Sequence, residues 1–308
     1  MNYYSSVKEL IGHTPLVKIK HYGIPQGVNV FAKLEYFNPG GSVKDRLGQK
    51  LIQTAIKDGL LPGDGAVIEP TAGNTGIGLA LAAVGTKIKI ICVVPQKFSI
   101  EKQDLMKALG AEIINTPTEE GMEGAIKKAE ELLKKIPNSY SPQQFSNENN
   151  PLTYYETLGP EIYEELDGKI DIFAAGAGTG GTFMGCARYL KEKNPKIKTV
   201  VVEPEGSILN GGKAGPHRTE GIGMEFLPPY MEIGLFDAIH TISDKDAFKR
   251  VKELALLQGY LVGSSSGAAF EAVLREAENA PPGTNILTIF PDSSERYLSK
   301  SIYEEDEQ

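Results

Sequence analysis

The apolar positions of this chain keep to two spacings, and the points where one gives way to the other mark its elements. Residues 14–19 and 28–34 are apolar, β-branched runs bounded by turn formers, which predicts two strands after a short helix at 6–10. From Val43 the spacing lengthens: Leu47, Leu51, Ile52, Ala55 and Ile56 recur at helical intervals, and Gly59 is a natural stop. Strand and helix patterns then alternate, with strands at 66–69, 88–94 and 112–115 and helices at 75–84, 100–109 and 122–135. A second series follows Asn150: a helix to about 166, a strand at 170–175, a helix at 182–193 and a strand at 199–203. After an irregular glycine-rich region come a strand at 238–242, helices at 245–258 and 266–280, and a strand at 285–290.

Alternating β and α elements with short connections predict an α/β protein whose parallel sheets are covered on both faces. The polar stretch 143–150, ending before Pro151, is the best boundary between the two series, so two lobes with a cleft between them are expected. Open parallel sheets bind ligands beyond the carboxyl ends of their strands, which puts the chemistry in the loops there.

A length of 308 residues suffices for two such lobes. The formal charge of −8 argues against a nucleic-acid partner, which needs a basic face, and small molecules are expected instead. No stretch is long and apolar enough to span a membrane, and the N-terminal residues lack a basic segment followed by an apolar run, so the expected location is the cytoplasm. Cys92 and Cys186 lie far apart without metal-ligand spacing; they read as buried free thiols, and no metal is expected. The acidic end, residues 304–308, reads as a solvated tail.

Lys44 is the candidate catalytic residue, because it lies just past a Pro-Gly-Gly turn in Asn38-Pro39-Gly40-Gly41-Ser42-Val43-Lys44-Asp45-Arg46. A lysine that forms an imine with a cofactor must be presented by a fixed backbone and kept partly dry. Pro39 fixes φ, and the paired glycines permit approaches that a Cβ would block. The alternative is a solvated lysine in the first turn of a helix.

Four more loops could share its site. Glu69-Pro70-Thr71-Ala72-Gly73-Asn74-Thr75-Gly76 joins a strand to an apolar helix, and its hydroxyls, amide and free N–H groups suit a carboxylate; simple N-capping by Thr71 or Asn74 is the alternative. Gly176-Ala177-Gly178-Thr179-Gly180-Gly181-Thr182 is built to wrap a phosphate, unless it is a plain strand-helix turn. It also satisfies a dinucleotide pattern at Gly176, Gly178 and Gly181, with Glu203 placed to hold a ribose, so an NAD-dependent dehydrogenase is the rival reading. Gly221, Gly223 and Glu225 belong to a glycine-rich segment that reads either as mobile and close to a ligand or as a surface loop, and His217 reads as a surface loop histidine. The serines of Gly263-Ser264-Ser265-Ser266-Gly267 either cap a helix or offer a hydroxyl to a ring nitrogen.

Together, Asn38 to Arg46, Thr71-Ala72-Gly73-Asn74-Thr75, Gln144-Phe145, Gly178-Thr179-Gly180-Gly181-Thr182 and Ser265-Ser266-Gly267 resemble the cysteine synthase and cystathionine β-synthase family, fold-type II enzymes that use pyridoxal 5′-phosphate. The segments Glu203 to Gly212, Thr219 to Phe226 and Phe290 to Tyr297 are most similar to its bacterial O-acetylserine-dependent cystathionine β-synthase branch. The resemblance spans nearly the whole chain. It implies a two-lobed, tryptophan synthase β-like fold, with 1–12 and 35–146 in the smaller lobe, 13–34 and 147–308 in the larger, and a homodimer.

The same resemblance implies that Lys44 bonds the cofactor, Asn74 its ring hydroxyl oxygen, Gly178, Thr179, Gly180, Gly181 and Thr182 its phosphate, and Ser265 its pyridine nitrogen. Thr71, Ala72, Gly73, Thr75 and Gln144 match positions that bind the substrate's α-carboxylate. Ala72 departs from the serine of many relatives, losing a hydroxyl but keeping the backbone N–H. The implied reaction is β-replacement on O-acetylserine or serine, with homocysteine giving cystathionine or sulfide giving cysteine. Glu225 is the expected partner of the distal ammonium that homocysteine would bring, since an acidic side chain beside a mobile loop attracts a cation. A non-catalytic metabolite-sensing relative is a third reading, against which Lys44 and the complete phosphate loop both argue.

Overall fold

The protein is described by a computed structural model covering Met1 and residues 3–304, so the acidic tail beyond Glu304 lies outside the described residues. In chain order the strands are β1 (Leu16–Ile19), β2 (Asn29–Leu34), β3 (Ala66–Pro70), β4 (Lys89–Pro95), β5 (Glu112–Thr116), β6 (Ser139–Tyr140), β7 (Ile172–Gly176), β8 (Lys198–Pro204), β9 (Ala238–Ile242) and β10 (Asn285–Phe290). The α-helices are α1 (Lys44–Lys57), α2 (Asn74–Ala83), α3 (Ile100–Ala108), α4 (Gly121–Lys135), α5 (Asn149–Glu156), α6 (Leu158–Glu165), α7 (Gly181–Lys193), α8 (Asp244–Gln258) and α9 (Ser264–Glu278). They gather into two compact units, Met1–Ile11 with Asn38–Asn150 and Gly12–Phe37 with Pro151–Gln308.

The first unit holds a parallel sheet in the order β5-β4-β3-β6. Ala66 and Ile68 of β3 and Ile91 and Val93 of β4 pack on Ala125 and Ala129 of α4. Helix α1 turns Leu47, Leu51, Ile52 and Ala55 inward, as the periodicity predicts, but Ile56 is 47% exposed and stands outside that stripe. Where α1 meets α2 the backbones touch. A Cβ on Gly48 would lie 2.1 Å from the Gly78 carbonyl carbon, and one on Gly78 would lie 2.3 Å from the carbonyl oxygen of Lys44.

The second unit holds a sheet in the order β1-β2-β10-β7-β8-β9, parallel except where β1 turns back on β2. Ile286 and Phe290 of β10, Ile172 and Ala174 of β7 and Val200 of β8 form a core with Phe270, Val273 and Leu274 of α9. Each large apolar side chain so buried contributes roughly 1.5–3 kcal/mol. Helix α9 is accordingly buried along most of its length, including the serines of its first turn.

Three local outcomes differ from the pattern. The single helix expected from Asn150 to about 166 is two, α5 and α6, broken at Thr157. Pro160 explains the break: it has no N–H to donate to the carbonyl four residues back, and its ring crowds that carbonyl. Strand β6 has two residues and exists through its register on β3, Ala66 against Ser139 and Val67 against Tyr140. A 3-10 helix at Ser294–Lys300 has no clear apolar period.

The Gly48–Gly78 contact yields a stability prediction. Gly78→Ala forces α1 off α2 and should lower unfolding free energy by about 1–3 kcal/mol, read as a lower urea midpoint at unchanged slope.

Candidate functional site

Each unit presents its own set of groups. In the first, the turn ahead of Lys44 closes when Gly41 N donates to Asn38 O at 2.7 Å, with Gly41 at φ +76°. Buried Asp45 accepts from Gly40 N, and Ser42 Oγ accepts from Lys44 N at 3.2 Å, so Lys44 enters as the first residue of α1 from a cross-braced turn. Its side chain is only partly exposed, and burial pushes the amine down to about 8. That is not a solvated lysine: an appreciable share of the amine is uncharged near neutral pH, as a nucleophile or base requires.

Between β3 and α2, Gly73 sits at φ +137° and is the residue before the helix. No side chain caps α2, so neither Thr71 nor Asn74 is the N-cap considered from the sequence. Thr71 Oγ1 instead accepts from Gly73 N at 3.0 Å. The N–H groups of residues 74–76 precede the first intrahelical bond, Ile77 N to Gly73 O at 3.0 Å, and an anion is favoured at such a helix start. Thr71, Gly73 and Thr75 are buried, whereas Ala72 and Asn74 are partly exposed.

Gln144 belongs to this set. Its Nε2 donates to Pro70 O at 2.9 Å and its Oε1 accepts from Thr75 Oγ1 at 2.7 Å. Beneath it lies Glu69, fully buried, accepting from Gln144 N at 2.9 Å, Gln143 N at 3.0 Å and Ser141 Oγ at 3.2 Å. Burial pushes Glu69 up to about 7 although all three of these bonds favour its ionised form. Sequence reasoning missed Glu69; the available signal was a carboxylate in a strand pattern immediately before the loop.

In the second unit, Gly178 to Thr182 bridge β7 and α7. Gly180, at φ +84°, precedes the helix without a side-chain cap, and the first intrahelical bond runs from Met184 N to Gly180 O at 2.9 Å. The donors of Gly181, Thr182 and Phe183 lie ahead of it, beside the partly exposed Thr182 and the buried Thr179. Gly221 and Gly223 are brought against this loop: a Cβ on Gly178 would lie 2.3 Å from Gly221 O, and Gly223 N donates to Ala177 O at 2.9 Å. Tyr230 braces it from below, its hydroxyl donating to Thr179 O at 2.9 Å.

Ser265 lies in the first turn of α9, buried, with Oγ 3.7 Å from the position a Cβ on Gly221 would take. The three serines do not cap α9, whose N-cap is Gly263. Ser264 Oγ accepts from Glu220 N at 3.0 Å, and Ser266 Oγ is fully buried with no hydrogen-bond partner among the described residues. Ser264 and Ser265 thus both meet residues 220–221, with Ser265 Oγ the one beside Gly221.

The dinucleotide reading fails on Glu203. Its buried carboxylate accepts from Leu209 N at 2.9 Å, Asn210 N at 3.1 Å and Thr241 Oγ1 at 3.0 Å, so it anchors its own loop and is not offered to a ribose. His217 is exposed, with Nδ1 2.8 Å from Thr219 O, and Glu225 is exposed. Cys92 and Cys186 are buried and form no disulfide, and burial pushes the Cys92 thiol up to about 12. Among the described residues no group of His, Cys, Asp and Glu could hold a metal, and no helix is long and apolar enough to cross a membrane.

These residues fit the cofactor that the sequence resemblance implies. A partly dry amine suits its aldehyde carbon, and the helix-start donors of α7 beside a threonine hydroxyl suit its phosphate.

Residues 7–292 match the family described as pyridoxal-phosphate dependent enzyme. The chain is 59% identical over 304 residues to the O-acetylserine dependent cystathionine beta-synthase of Bacillus subtilis, covering 99% of each. It is 56% identical to a cysteine synthase of Helicobacter pylori, over 97% of this chain and 98% of that one. The crystal structure of an O-acetylserine dependent cystathionine beta-synthase from Helicobacter pylori superposes with a TM-score of 0.96 at 56% identity, covering 99% of this chain and all of the other.

The unpartnered hydroxyl gives a second stability prediction. Ser266→Ala removes a buried polar group that has no partner, so denaturant unfolding should show a change between zero and a gain of about 1 kcal/mol. A loss above about 1 kcal/mol would mean that the hydroxyl is bonded.

Proposed function

Since this chain belongs to the family of pyridoxal-phosphate-dependent enzymes, we propose that it replaces the acetoxy group of O-acetylserine with the sulfur of homocysteine, giving cystathionine. The observation that carries this reading is Lys44: a lysine on a braced turn whose amine is pushed down to about 8 by burial. The bound cofactor supplies an electron sink, which acidifies the Cα proton and lets acetate leave from Cβ. Lys44 holds the cofactor covalently through Nζ. Released from that bond, the Lys44 amine would take the Cα proton and later return a proton to Cα.

The remaining roles follow from the same reading. Asn74 hydrogen-bonds the ring oxygen, and Gly178, Thr179, Gly180, Gly181 and Thr182 take the phosphate. Ser265 offers the ring nitrogen a hydroxyl, which bonds it without the firm protonation a carboxylate partner would enforce. Thr71, Ala72, Gly73, Thr75 and Gln144 hold the α-carboxylate, with Ala72 contributing its N–H. Gly221 and Gly223 let the chain move beside the substrate, and Glu225 meets the distal ammonium of homocysteine. Its exposure supports that role, because an unengaged carboxylate keeps its attraction for an incoming cation.

Sulfide as acceptor, giving cysteine, is the second reading, favoured by the 56% identity to a protein named cysteine synthase. The same family membership supports a homodimer, and light scattering should give twice the mass of one chain; the mass of a single chain would count against it.

Supplying O-acetylserine with sulfide and homocysteine in competition and identifying the products decides the acceptor: cystathionine supports the first reading and cysteine the second. Lys44→Ala should lower turnover by about 10²–10⁴-fold and abolish the borohydride-sensitive colour of the bound cofactor. In apoprotein, covalent cofactor uptake should accelerate with pH and level off above about 8, because the ammonium that predominates below that value cannot attack a carbonyl. Glu225→Gln should raise the KM for homocysteine about 3- to 10-fold while leaving that for O-acetylserine unchanged; equal homocysteine KM values would remove Glu225 from the acceptor site.

A further inference from the structure

We propose that Glu69 is a positioning residue for the substrate's α-carboxylate, fixing residues 141–144 so that Gln144 braces the loop from Thr71 to Thr75. The proposal rests on the assignment of that loop to the α-carboxylate. Glu69 lies one residue from the end of β3, which is flanked by β4 and β6. Both of its oxygens are engaged, Oε1 by Gln144 N and Oε2 by Gln143 N and Ser141 Oγ. All three donors come from the connection that follows β6, outside any helix or strand.

What that connection holds is the loop. Pro70 O accepts from Gln144 Nε2 at its near end, and Thr75 Oγ1 donates to Gln144 Oε1 at its far end. One amide thus ties both ends of the five residues from Thr71 to Thr75, and the backbone of that same residue is pinned by Glu69. Asn150 adds a brace from the other side, its Nδ2 donating to Gln144 O at 2.8 Å. Displacing Gln144 would release both ends of the loop together, and a binding group displaced by about 1 Å loses much of its effect.

A carboxylate suits this place better than its neutral isostere. It accepts on both oxygens, whereas a glutamine would turn an N–H toward one of the donors, Gln143 N or Gln144 N. The titratable groups that face Glu69 are Cys92 on β4, paired with it in register, and Tyr140 on β6; burial pushes both upward, so both are neutral at pH 7. Burial pushes Glu69 up to about 7, so above that pH the three donors are what holds the charge, and hydrogen bonds to an ionised acceptor are roughly twice as strong as neutral ones.

The test compares wild-type and Glu69→Gln holoenzymes. L-alanine, which has the α-carboxylate and amine but no leaving group, is titrated against the visible absorbance of the bound cofactor. The expected result is a rise of about tenfold in its Kd, or about 1.4 kcal/mol, with the same rise in KM for O-acetylserine and kcat held within about threefold. Amide exchange at Gln143 and Gln144 should accelerate by about tenfold or more. A merely structural role would lower the melting temperature without separating KM from kcat. Kd and KM within about twofold of wild type, or a loss confined to kcat, would overturn the proposal.

If Glu69→Gln does not accumulate as holoenzyme, Ser141→Ala removes one donor and should raise the L-alanine Kd about threefold; an unchanged Kd overturns the proposal there too. Absence of O-acetylserine turnover in wild type would instead sink the proposed reaction, and the L-alanine and amide-exchange measurements would still decide on Glu69.

Discussion

Contact between the backbones of α1 and α2 at Gly48 and Gly78 is the constraint on which the placement of Lys44 depends. Gly78 stands where any side chain would strike the carbonyl oxygen of Lys44, so the start of α1 rests directly on α2. Helix α2 opens at Asn74, directly after the Thr71–Gly73 stretch, so one close-packed pair carries Lys44, Asn74 and the end of the loop from Thr71 to Thr75. Side chains at that crossing would hold the helices apart, since paired helices ordinarily pack 8–10 Å apart on their side chains. The turn ahead of Lys44 completes the placement: Asp45 pins Gly40 from within the first helical turn, leaving the lysine little backbone freedom to lose on reaction.

The same device organises a loop in each unit. Glu69-Pro70 ends β3 and Glu203-Pro204 ends β8, and in both cases a buried glutamate accepts backbone N–H groups from an irregular segment. Glu69 gathers residues 141–144, and Glu203 gathers Leu209 and Asn210. The following proline cannot donate, so the ladder stops and the chain is free to turn away. Irregular segments carry many backbone donors, and one carboxylate with two acceptor oxygens satisfies several at once.

The motif-bearing loops were legible in the sequence because each has a local physical cause. Glycines at Gly178 and Gly180, threonines at helix starts and the Pro-Gly-Gly turn before Lys44 state their conformations over four to nine residues. The long strands and helices were legible for the same reason, as β9 and β10 show by occupying the residues their pattern predicts. Errors fell where the cause is not local. Ile56 keeps helical spacing yet faces outward, because which side of α1 is covered depends on α2 and the sheet. Gly48 and Gly78 look like ordinary small residues in a helix until the other backbone is seen beside them.

Sequence alone determined which chemistry to expect: a lysine after a rigid turn, and loops read as suited to a phosphate, a ring nitrogen and a carboxylate, in an order that resembles one enzyme family. It also placed Glu203 where a dinucleotide enzyme would hold a ribose. Only the tertiary structure decided what that carboxylate does, by filling it with Leu209, Asn210 and Thr241. The reason is general: residue type states which bonds a group is able to make, whereas packing partners distant in sequence state which of those bonds are already made.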